Sequence, residues 1–306
     1  MSHDIRYGKA DVRVYRTNAT PLRGVPPIPE SPFTGRDNIL MGAAIEVVVR
    51  GEVFLEAYTV GDNRRVVATD TMKNFIQTAS LGCEAATLEG WLHEIGSAFL
   101  ETYEQMERLT MVARELPFSP SVVPADGGFA LSDRLFSRER GDYSTASLDL
   151  ERSGGAIGIA GHTCGRAELQ LIKLTGSAFA DFARDEHTTL PERSDRPLYI
   201  WTDIGWRYAD PADALGPDRY VAGEQVADLA AAVFDDFVSL SIQHLVHEIG
   251  QRMLARWPQL AEVSFDAQNR LWDTGAVSET QDHVRVYTDP RPPFGRIGLV
   301  LRRDES

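Results

Sequence analysis

The chain has 306 residues, of which 43% are hydrophobic, and it carries a formal net charge of −14. This composition predicts a folded chain of one or two domains with a full core, and it argues against a disordered chain. The acidic balance argues against nucleic acid or an anionic membrane as a partner, because both attract basic surfaces. Its two cysteines, Cys83 and Cys164, lie too far apart for a close zinc motif and form no disulfide framework, which fits a reducing cytoplasm.

The first half of the chain predicts the order strand, strand, helix, helix, strand, strand. Alternation predicts a strand over 5–16, and the prolines over 17–38 predict a loop. Residues 43–60 predict a long strand, interrupted at Gly51 by a bulge or a hairpin. The remaining elements are a strand end at 66–68, helices at 70–80 and 87–103 with Thr87 as the second N-cap, and strands at 108–116 and 129–136.

The second half repeats that order. Strands are predicted at 144–151, 156–160, 166–174 and 198–208, then two helices ending before Pro258, then strands at 261–266, 283–288 and 296–302. The two copies predict a duplicated α+β module. Because one helix pair covers only one face of a four-stranded sheet, we expect the other face to need a partner and the chain to form an oligomer.

Neither targeting nor membrane segments are visible in the sequence. Residues 1–10 are polar and charged, which predicts that no signal peptide is present. Apolar runs all fall short of the length that spans a bilayer. We therefore expect a cytoplasmic protein without a membrane partner.

Thr69 and Asp70 stand at the predicted start of a helix, just after the strand end. Asp70 is a predicted N-cap, since its short side chain can accept from free backbone N–H groups one turn on. Those N–H groups and the helix dipole also suit an anionic ligand. On the local pattern alone, capping is the favoured role.

Among the remaining polar residues, the sequence predicts no metal site. His244 and His247 lie three apart on a helix, without the carboxylate pattern that completes a metal centre, and are predicted to be structural. No nucleophile elbow or phosphate-binding glycine loop is present. The loop between 174 and 197 is long enough to be functional: Phe179 offers a flat face, and Arg196 offers a planar fork to an anionic or carbonyl-rich ligand.

Several separate stretches of the sequence, taken together in their order along the chain, form a specific pattern. They are Arg6-Tyr7-Gly8-Lys9, Val67-Ala68-Thr69-Asp70, Phe179 with Arg184-Asp185-Glu186-His187-Thr188-Thr189-Leu190, Asp195-Arg196, Ile242-Gln243, and Tyr287-Thr288-Asp289-Pro290. With them the chain resembles the urate oxidase (uricase) family, bacterial type, over nearly its whole length. The resemblance implies an α+β tunnelling fold (T-fold): two tandem modules, 1–140 and 141–306, each an antiparallel four-stranded sheet with two helices. Subunits would join their sheets into a barrel as a homotetramer with active sites at subunit interfaces.

The resemblance also implies the reaction: urate, O2 and water give 5-hydroxyisourate and hydrogen peroxide, with no metal or organic cofactor. Phe179 would stack on urate, Arg196 would hold one edge with two parallel N–H bonds, and the Gln243 amide would pair with another edge. The backbone of Ile242 would donate a further hydrogen bond.

Further residues are implied for the chemistry. Thr69 and Asp70 of a neighbouring subunit would bind the opposite side of urate, partly through backbone N–H groups. Lys9 would remove a proton from urate, relayed through the Thr69 hydroxyl. Asn269 would hold O2, and later the attacking water, above the ring.

One position departs from the family pattern. Uricases carry a histidine shortly after this asparagine, whereas this sequence has Arg270 and Leu271 there. Arginine does not act readily as a base, so the sequence does not identify the residue that would complete the relay with Lys9 and Thr69. Two alternatives follow: a urate-binding protein with impaired catalysis, and another purine- or pterin-processing enzyme of the same fold.

Overall fold

The structure is a computed structural model that describes residues 3–138 and 140–303. The chain divides into two compact units. Unit 1 comprises Met1–Pro27, Phe33–Gly165 and Arg207–Ala222, and unit 2 comprises Ile28–Pro32, Arg166–Trp206 and Gly223–Ser306.

The described residues form strands, α-helices and short 3₁₀ turns. The strands are β1 (Arg6–Thr17), β2 (Leu40–Arg50), β3 (Arg108–Glu115), β4 (Ser119–Ala125), β5 (Gly128–Ser137), β6 (Tyr143–Ser153), β7 (Ala156–Lys173), β8 (Leu198–Tyr208), β9 (Leu260–Asn269), β10 (Asp273–Val277), β11 (Arg285–Thr288) and β12 (Gly295–Arg302). The α-helices are α1 (Leu55–Thr59), α2 (Thr69–Gly82), α3 (Leu88–Thr102), α4 (Gly223–Asp236) and α5 (Ile242–Arg256).

Unit 1 is a sheet covered on one face by α2 and α3. Its strands lie in the order β1-β2-β3-β6-β7, and the pairs from β1 to β6 are antiparallel. Alternation turns Val47, Met111 and Leu148 to the helix side, where each is fully buried. Ile76 of α2 and Phe99 of α3 complete this core. The opposite face is polar and half-exposed.

The proline-rich arm packs against the folded chain: most of it belongs to unit 1, and Ile28–Pro32 belong to unit 2. Within residues 17–38, Leu22 and Val25 are buried in a small cluster with Tyr220 and Ala222. The predicted loop is therefore confirmed, and its apolar side chains anchor it to its own chain.

Unit 2 repeats the two-layer arrangement with the strands β7-β8-β9-β12 and the helices α4 and α5. β9 and β12 are antiparallel and pair Asn269 with Gly295. α5 packs against both strands, and its approach is close: a Cβ at Gly250 would lie 2.5 Å from a methyl carbon of Leu301. Glycine at this position lets the helix rest directly on the sheet.

Two predicted strand segments are wrong. Residues 52–59 form a 3₁₀ turn (Glu52–Phe54) and the helix α1 instead of the second half of a long strand. Val53, Leu55 and Ala57 fit an alternating spacing, while Val53, Phe54 and Ala57 fit a helical one, so periodicity did not distinguish the two. Residues 66–68 are irregular, and only Val67 of the three is buried.

Other boundaries also differ from prediction. No strand was predicted between 116 and 129, but β4 lies there and pairs with β5 as an isolated hairpin, where Pro120 and Pro124 cost few ladder hydrogen bonds. β10 was missed and pairs with β11. The strands predicted at 156–160 and 166–174 are a single strand, β7.

The α+β class and the antiparallel pairing are confirmed. With the hairpins and α1 set aside, the order strand, strand, helix, helix, strand, strand occurs twice. The predicted modules, 1–140 and 141–306, are two copies of one order of elements, whereas the two units are defined by compactness. The boundary between the modules therefore stays a prediction. Within the described residues, none of the helices is long and apolar enough to cross a membrane.

Candidate functional site

Lys9 lies on β1, on the face that the helices cover. It pairs with Val47, which is fully buried on that face, and the Lys9 side chain itself is half-buried. The strand must run close to β2 here, because a Cβ at Gly8 would lie 1.8 Å from the Val47 carbonyl oxygen. The register shifts between Lys9 and Val12, where Asp11 has a φ of 52°. The β-bulge therefore follows directly after the lysine.

Thr69 and Asp70 are the first two residues of α2, one position earlier than predicted. The N-cap is Ala68, so the prediction of Asp70 as N-cap is wrong. The reason is local: the Ala68 carbonyl already accepts the first helical hydrogen bond, from Met72 N–H at 3.1 Å. Ala68 has no side-chain acceptor, so the free N–H groups of the first turn keep no capping side chain.

The Asp70 carboxylate is held by its own helix. Lys73 Nζ lies 2.6 Å from one carboxylate oxygen, and the Asn74 amide donates to the other at 3.3 Å. The Lys73 hydrogen bond is the largest cause that lowers the Asp70 pKa, and the charge of Lys9 adds to it. Lys9 and the start of α2 therefore share one electrostatic environment in unit 1.

In unit 2, Ser177 joins the segments that carry Phe179, Arg196 and the start of α5. The backbone N–H of Arg196 donates to the Ser177 carbonyl at 2.8 Å. Ser177 and Ser239 form a parallel bridge, and their buried hydroxyls lie 3.1 Å apart. Because Ser239 comes shortly before α5, these contacts place three distant segments side by side.

Phe179 and Arg196 are in contact. The Arg196 guanidinium carbon lies 5.3 Å from the centre of the Phe179 ring, and Phe182 stacks on that ring at 4.9 Å. Backbone hydrogen bonds of 2.8 Å between Phe179 and Arg193, in both directions, hold the loop. The pair thus presents an aromatic ring and a planar cation together.

The guanidinium of Arg196 has a donor that the described residues leave unused. Its Nε is buried and has no hydrogen-bond partner among the described residues. Burial lowers the Arg196 pKa, and the charge of Arg193 contributes to the same shift. A half-buried cation with an unused donor favours an anionic or carbonyl-bearing partner.

Ile242 and Gln243 open α5. Ser241 caps the helix by accepting from His244 N–H at 3.0 Å, and the Ile242 side chain is buried while Gln243 is exposed. The backbone N–H groups of the first turn have no partner within the helix. Because Ser241 accepts from His244, the N–H groups of Ile242 and Gln243 and the Gln243 side-chain amide are the donors left available to a ligand.

Asn269 ends β9 opposite Gly295 of β12. Its side-chain oxygen Oδ1 is buried and has no hydrogen-bond partner within the described part of the chain. A buried amide oxygen without a donor is costly, which marks the position as one where a further molecule is expected.

Comparisons with known proteins decide the family. The uricase family model matches residues 162–298. A uricase of Haloferax volcanii is 48% identical over 295 residues, which cover 95% of this chain and 96% of that protein.

The chain belongs to the uricase family.

Two further similar proteins come from one Bacillus strain. The uric acid degradation bifunctional protein of Bacillus sp. (strain TB-90) is 44% identical over 292 residues, or 94% of this chain, and the chain spans 58% of that relative's length. A crystal structure of urate oxidase from Bacillus sp. TB-90 superposes with a TM-score of 0.94 at 44% identity, covering 98% of this chain and 100% of that chain.

The family pattern has a histidine shortly after the asparagine, where this chain has Arg270. The Arg270 side chain is engaged by other residues. Its guanidinium carbon lies 3.5 Å from the centre of the Trp201 ring and 4.5 Å from that of Phe294. The same group donates twice to Gln268 Oε1, at 3.1 and 2.8 Å. These contacts hold the Arg270 guanidinium against two aromatic rings and the Gln268 amide, just beyond the end of β9.

The predicted site residues fall into two sets. Lys9, Thr69 and Asp70 lie in unit 1, and the second set lies in unit 2. The second set consists of Phe179, Arg196, Ile242, Gln243 and Asn269. The described residues contain no group of three or more His, Cys, Asp or Glu side chains that suits a metal ion.

Sequence reasoning missed two supporting aromatic residues. Tyr7 accepts a hydrogen bond from Val67 just before α2, and Phe182 stacks on Phe179. Spacing was the available signal in both cases: Tyr7 is two residues from Lys9 and therefore shares its face, and Phe182 follows Phe179 by three positions.

Proposed function

We propose that this uricase family member is a urate oxidase. Urate, O2 and water give 5-hydroxyisourate and hydrogen peroxide, and the protein supplies no metal ion or organic cofactor. The observation that carries the proposal is the unit 2 cluster, where the unpartnered Nε of half-buried Arg196 stands beside the ring of Phe179. A flat anion with carbonyl edges matches both groups.

Urate recognition is assigned to unit 2. Phe179 stacks on the purine ring, with Phe182 bracing it from behind. Arg196 donates two parallel hydrogen bonds to one edge, the Gln243 amide pairs with another, and the N–H of Ile242 donates from the first turn of α5. The helix dipole adds a positive potential that favours the anion.

Proton transfer is assigned to unit 1. Lys9 takes a proton from urate through the Thr69 hydroxyl, which makes the ring electron-rich enough to pass an electron to O2. Asp70 binds the far edge of the substrate, partly through its backbone N–H. The charge of Lys9 helps to lower the pKa of Asp70 at the start of α2, and this electrostatic contact supports the grouping.

Asn269 is assigned to the oxygen side of the ring. Its buried Oδ1 lacks a partner among the described residues, so a bound O2, and then the attacking water, would lie against this amide. Arg270 has no part in the relay, because its guanidinium is held by Trp201 and Gln268.

The complete site forms between subunits. The tunnelling fold joins the sheets of several copies into a barrel, as a homotetramer, so that Lys9 and Thr69 of one copy face Arg196 of another. This arrangement accounts for the division of the predicted residues between the units. We place the enzyme in the cytoplasm, in agreement with its two free, buried cysteines.

Incubation of the purified chain with urate tests the proposal. We expect the ultraviolet band of urate to disappear with uptake of O2 and release of peroxide, unchanged after treatment with a chelator. Tight urate binding without turnover would instead identify a binding protein, and activity lost on chelation would identify a metal-dependent enzyme of the same fold.

A further inference from the structure

A row of arginines crosses the face of the unit 1 sheet that α2 and α3 leave uncovered. The strand registers place Arg6 opposite Arg50, Arg50 opposite Arg108, and Arg108 opposite Glu151. Directly paired residues share a face, and their Cα atoms are about 4.5–5.5 Å apart. Three guanidinium groups on neighbouring strands are thus followed by a single carboxylate.

That carboxylate serves only one end of the row. Arg108 Nη2 lies 2.9 Å from Glu151 Oε2. Arg6 and Arg50 have no hydrogen bond or ion pair from their guanidinium groups within residues 3–138 and 140–303. Like charges directly opposite each other destabilise a sheet, so the row is unfavourable as it stands.

Two shallow grooves border Arg50. One, of about 340 Å³, is lined by Arg50, Arg108 and Thr110 among others, and the other, of about 300 Å³, by Arg6, Gly8 and Arg50 among others. The carboxylates that line them are Glu46, Asp149 and Glu151. Asp149 accepts from the Thr110 hydroxyl at 2.6 Å, and Glu151 from Arg108.

Glu46 does not neutralise Arg50. It lies four residues before Arg50 on the same strand, at a distance of about 13 Å along β2. The positive charge at Arg6 and Arg50 therefore stays uncompensated, in a chain whose net charge is −14. An isolated basic patch of this kind concentrates anions from solution.

We propose that Arg6 and Arg50 form a binding site for a tetrahedral oxyanion of the phosphate class. Planar guanidinium forks donate paired hydrogen bonds to such an anion, and its charge offsets the repulsion along the row. Lys9 and Tyr7 also border the second groove along β1, but their side chains alternate to the helix-covered face, whereas Arg6 and Gly8 alternate to the uncovered face that carries the row.

Inorganic phosphate tests the site directly. The wild-type chain is compared with Arg50→Gln in thermal unfolding and in calorimetric titration with phosphate, against sodium chloride at equal ionic strength. We expect phosphate to raise the wild-type Tm and to bind Arg50→Gln about tenfold more weakly. Without phosphate, Arg50→Gln should be as stable as the wild type or more stable, because the repulsion is relieved.

Arg13→Gln is the matched control. Arg13 lies on the same strand β1, but it is paired with Asp11 at 3.2 Å, so its loss should leave the phosphate response intact. An equal phosphate response in wild type and Arg50→Gln overturns the proposal. So does an Arg50→Gln chain that changes its oligomeric state while phosphate binds neither form, because the row would then serve a subunit contact.

Discussion

The Tyr7 hydroxyl accepts a hydrogen bond from the backbone N–H of Val67 at 3.1 Å. The Tyr7 ring meets Phe54 edge-on, with ring centres 5.1 Å apart, so the side chain is anchored at both ends. Tyr7 shares its strand and face with Lys9, and Val67 is two residues from Thr69. One hydrogen bond thus ties the strand of the proposed base to the helix of the proposed relay hydroxyl.

Replacement of Tyr7 by Phe should disturb catalysis more than binding. The ring packing remains, but the Val67 N–H loses its acceptor, which costs about 1–3 kcal/mol for a buried donor. We expect kcat to fall about tenfold with little change in KM, because Lys9 and Thr69 lose their relative placement. Steady-state kinetics on urate measure both. Tyr58→Phe is the control, since that exposed hydroxyl donates to the Arg6 carbonyl and not to the segment before α2, and equal kinetics in the two variants would contradict the role.

The relay assignment predicts losses at Lys9 and Thr69. Lys9→Ala and Thr69→Ala should each lower kcat by about 10²–10⁴-fold, the range that a positioned acid–base group contributes. The control is Thr71→Ala, because Thr71 is an exposed threonine in the same first turn of α2. Wild-type rates in both site variants would remove Lys9 and Thr69 from the mechanism.

Arg196 should be sensitive even to a charge-conserving change. Arg196→Lys keeps the cation but loses the planar fork and the contact with the Phe179 ring, so KM for urate should rise by at least about tenfold. Arg193→Lys provides the comparison, since Arg193 lies in the same loop and its side chain is exposed. Similar KM values for the two variants would show that Arg196 does not grip the substrate.

The starts of α2 and α3 show which helix ends could be predicted from the sequence. Thr87 was predicted to cap α3, and its hydroxyl does accept from Gly90 N–H at 3.0 Å, because this cap is a local pattern. The start of α2 was misplaced by one residue, since the true N-cap, Ala68, carries no capping side chain. Local chemistry predicts an element well only where a side chain marks its end.

The contacts that bring the candidate site residues together could not be predicted from the sequence. Phe179, Arg196 and Gln243 were identified as members of a family pattern, but their proximity depends on Ser177 bridging Arg196 and Ser239. Such contacts join residues far apart in sequence, and neither periodicity nor propensity carries them. The same holds for Tyr7 and Val67, whose contact follows from packing between β1 and α2.

Mixing two variants with impaired activity, assayed at urate concentrations below KM, tests whether sites form between subunits. Lys9→Ala and Arg196→Lys chains are unfolded, mixed and refolded together. If each site takes Lys9 from one copy and Arg196 from another, about a quarter of the sites in random hetero-oligomers are intact, and activity returns. Sites built within one chain would stay damaged in every mixture. Each variant refolded alone is the control, and no recovery in the mixture would place both residues in one chain's site.

A buried carboxyl group predicts how stability depends on pH. Glu89 of α3 is fully buried, and burial raises its pKa from the ordinary 4.5 to about 7, although hydrogen bonds from Cys164 and Tyr220 and the charge of Arg36 oppose the shift. Its oxygen Oε2 has no hydrogen-bond partner among the described residues. The neutral acid is therefore the form that the fold prefers.

The sign of the effect follows from proton binding. Between pH 4.5 and about 7 the folded chain holds a proton on Glu89 that the unfolded chain releases, so the free energy of unfolding falls as pH rises. The stabilisation is complete below pH 4.5 and is lost as pH passes through about 7. It amounts to about 3 kcal/mol at most, because one pKa unit corresponds to about 1.4 kcal/mol.

Glu89→Gln removes this ionisation while keeping the shape of the side chain. We expect the stability of Glu89→Gln, measured relative to wild type by urea unfolding, to increase from pH 4.5 to 8. Glu101→Gln, an exposed change in the last turn of the same helix, should show a flat difference. A flat difference for Glu89→Gln as well would mean that Glu89 ionises in the folded chain as easily as in the unfolded one, and the buried carboxyl would have no part in the pH response.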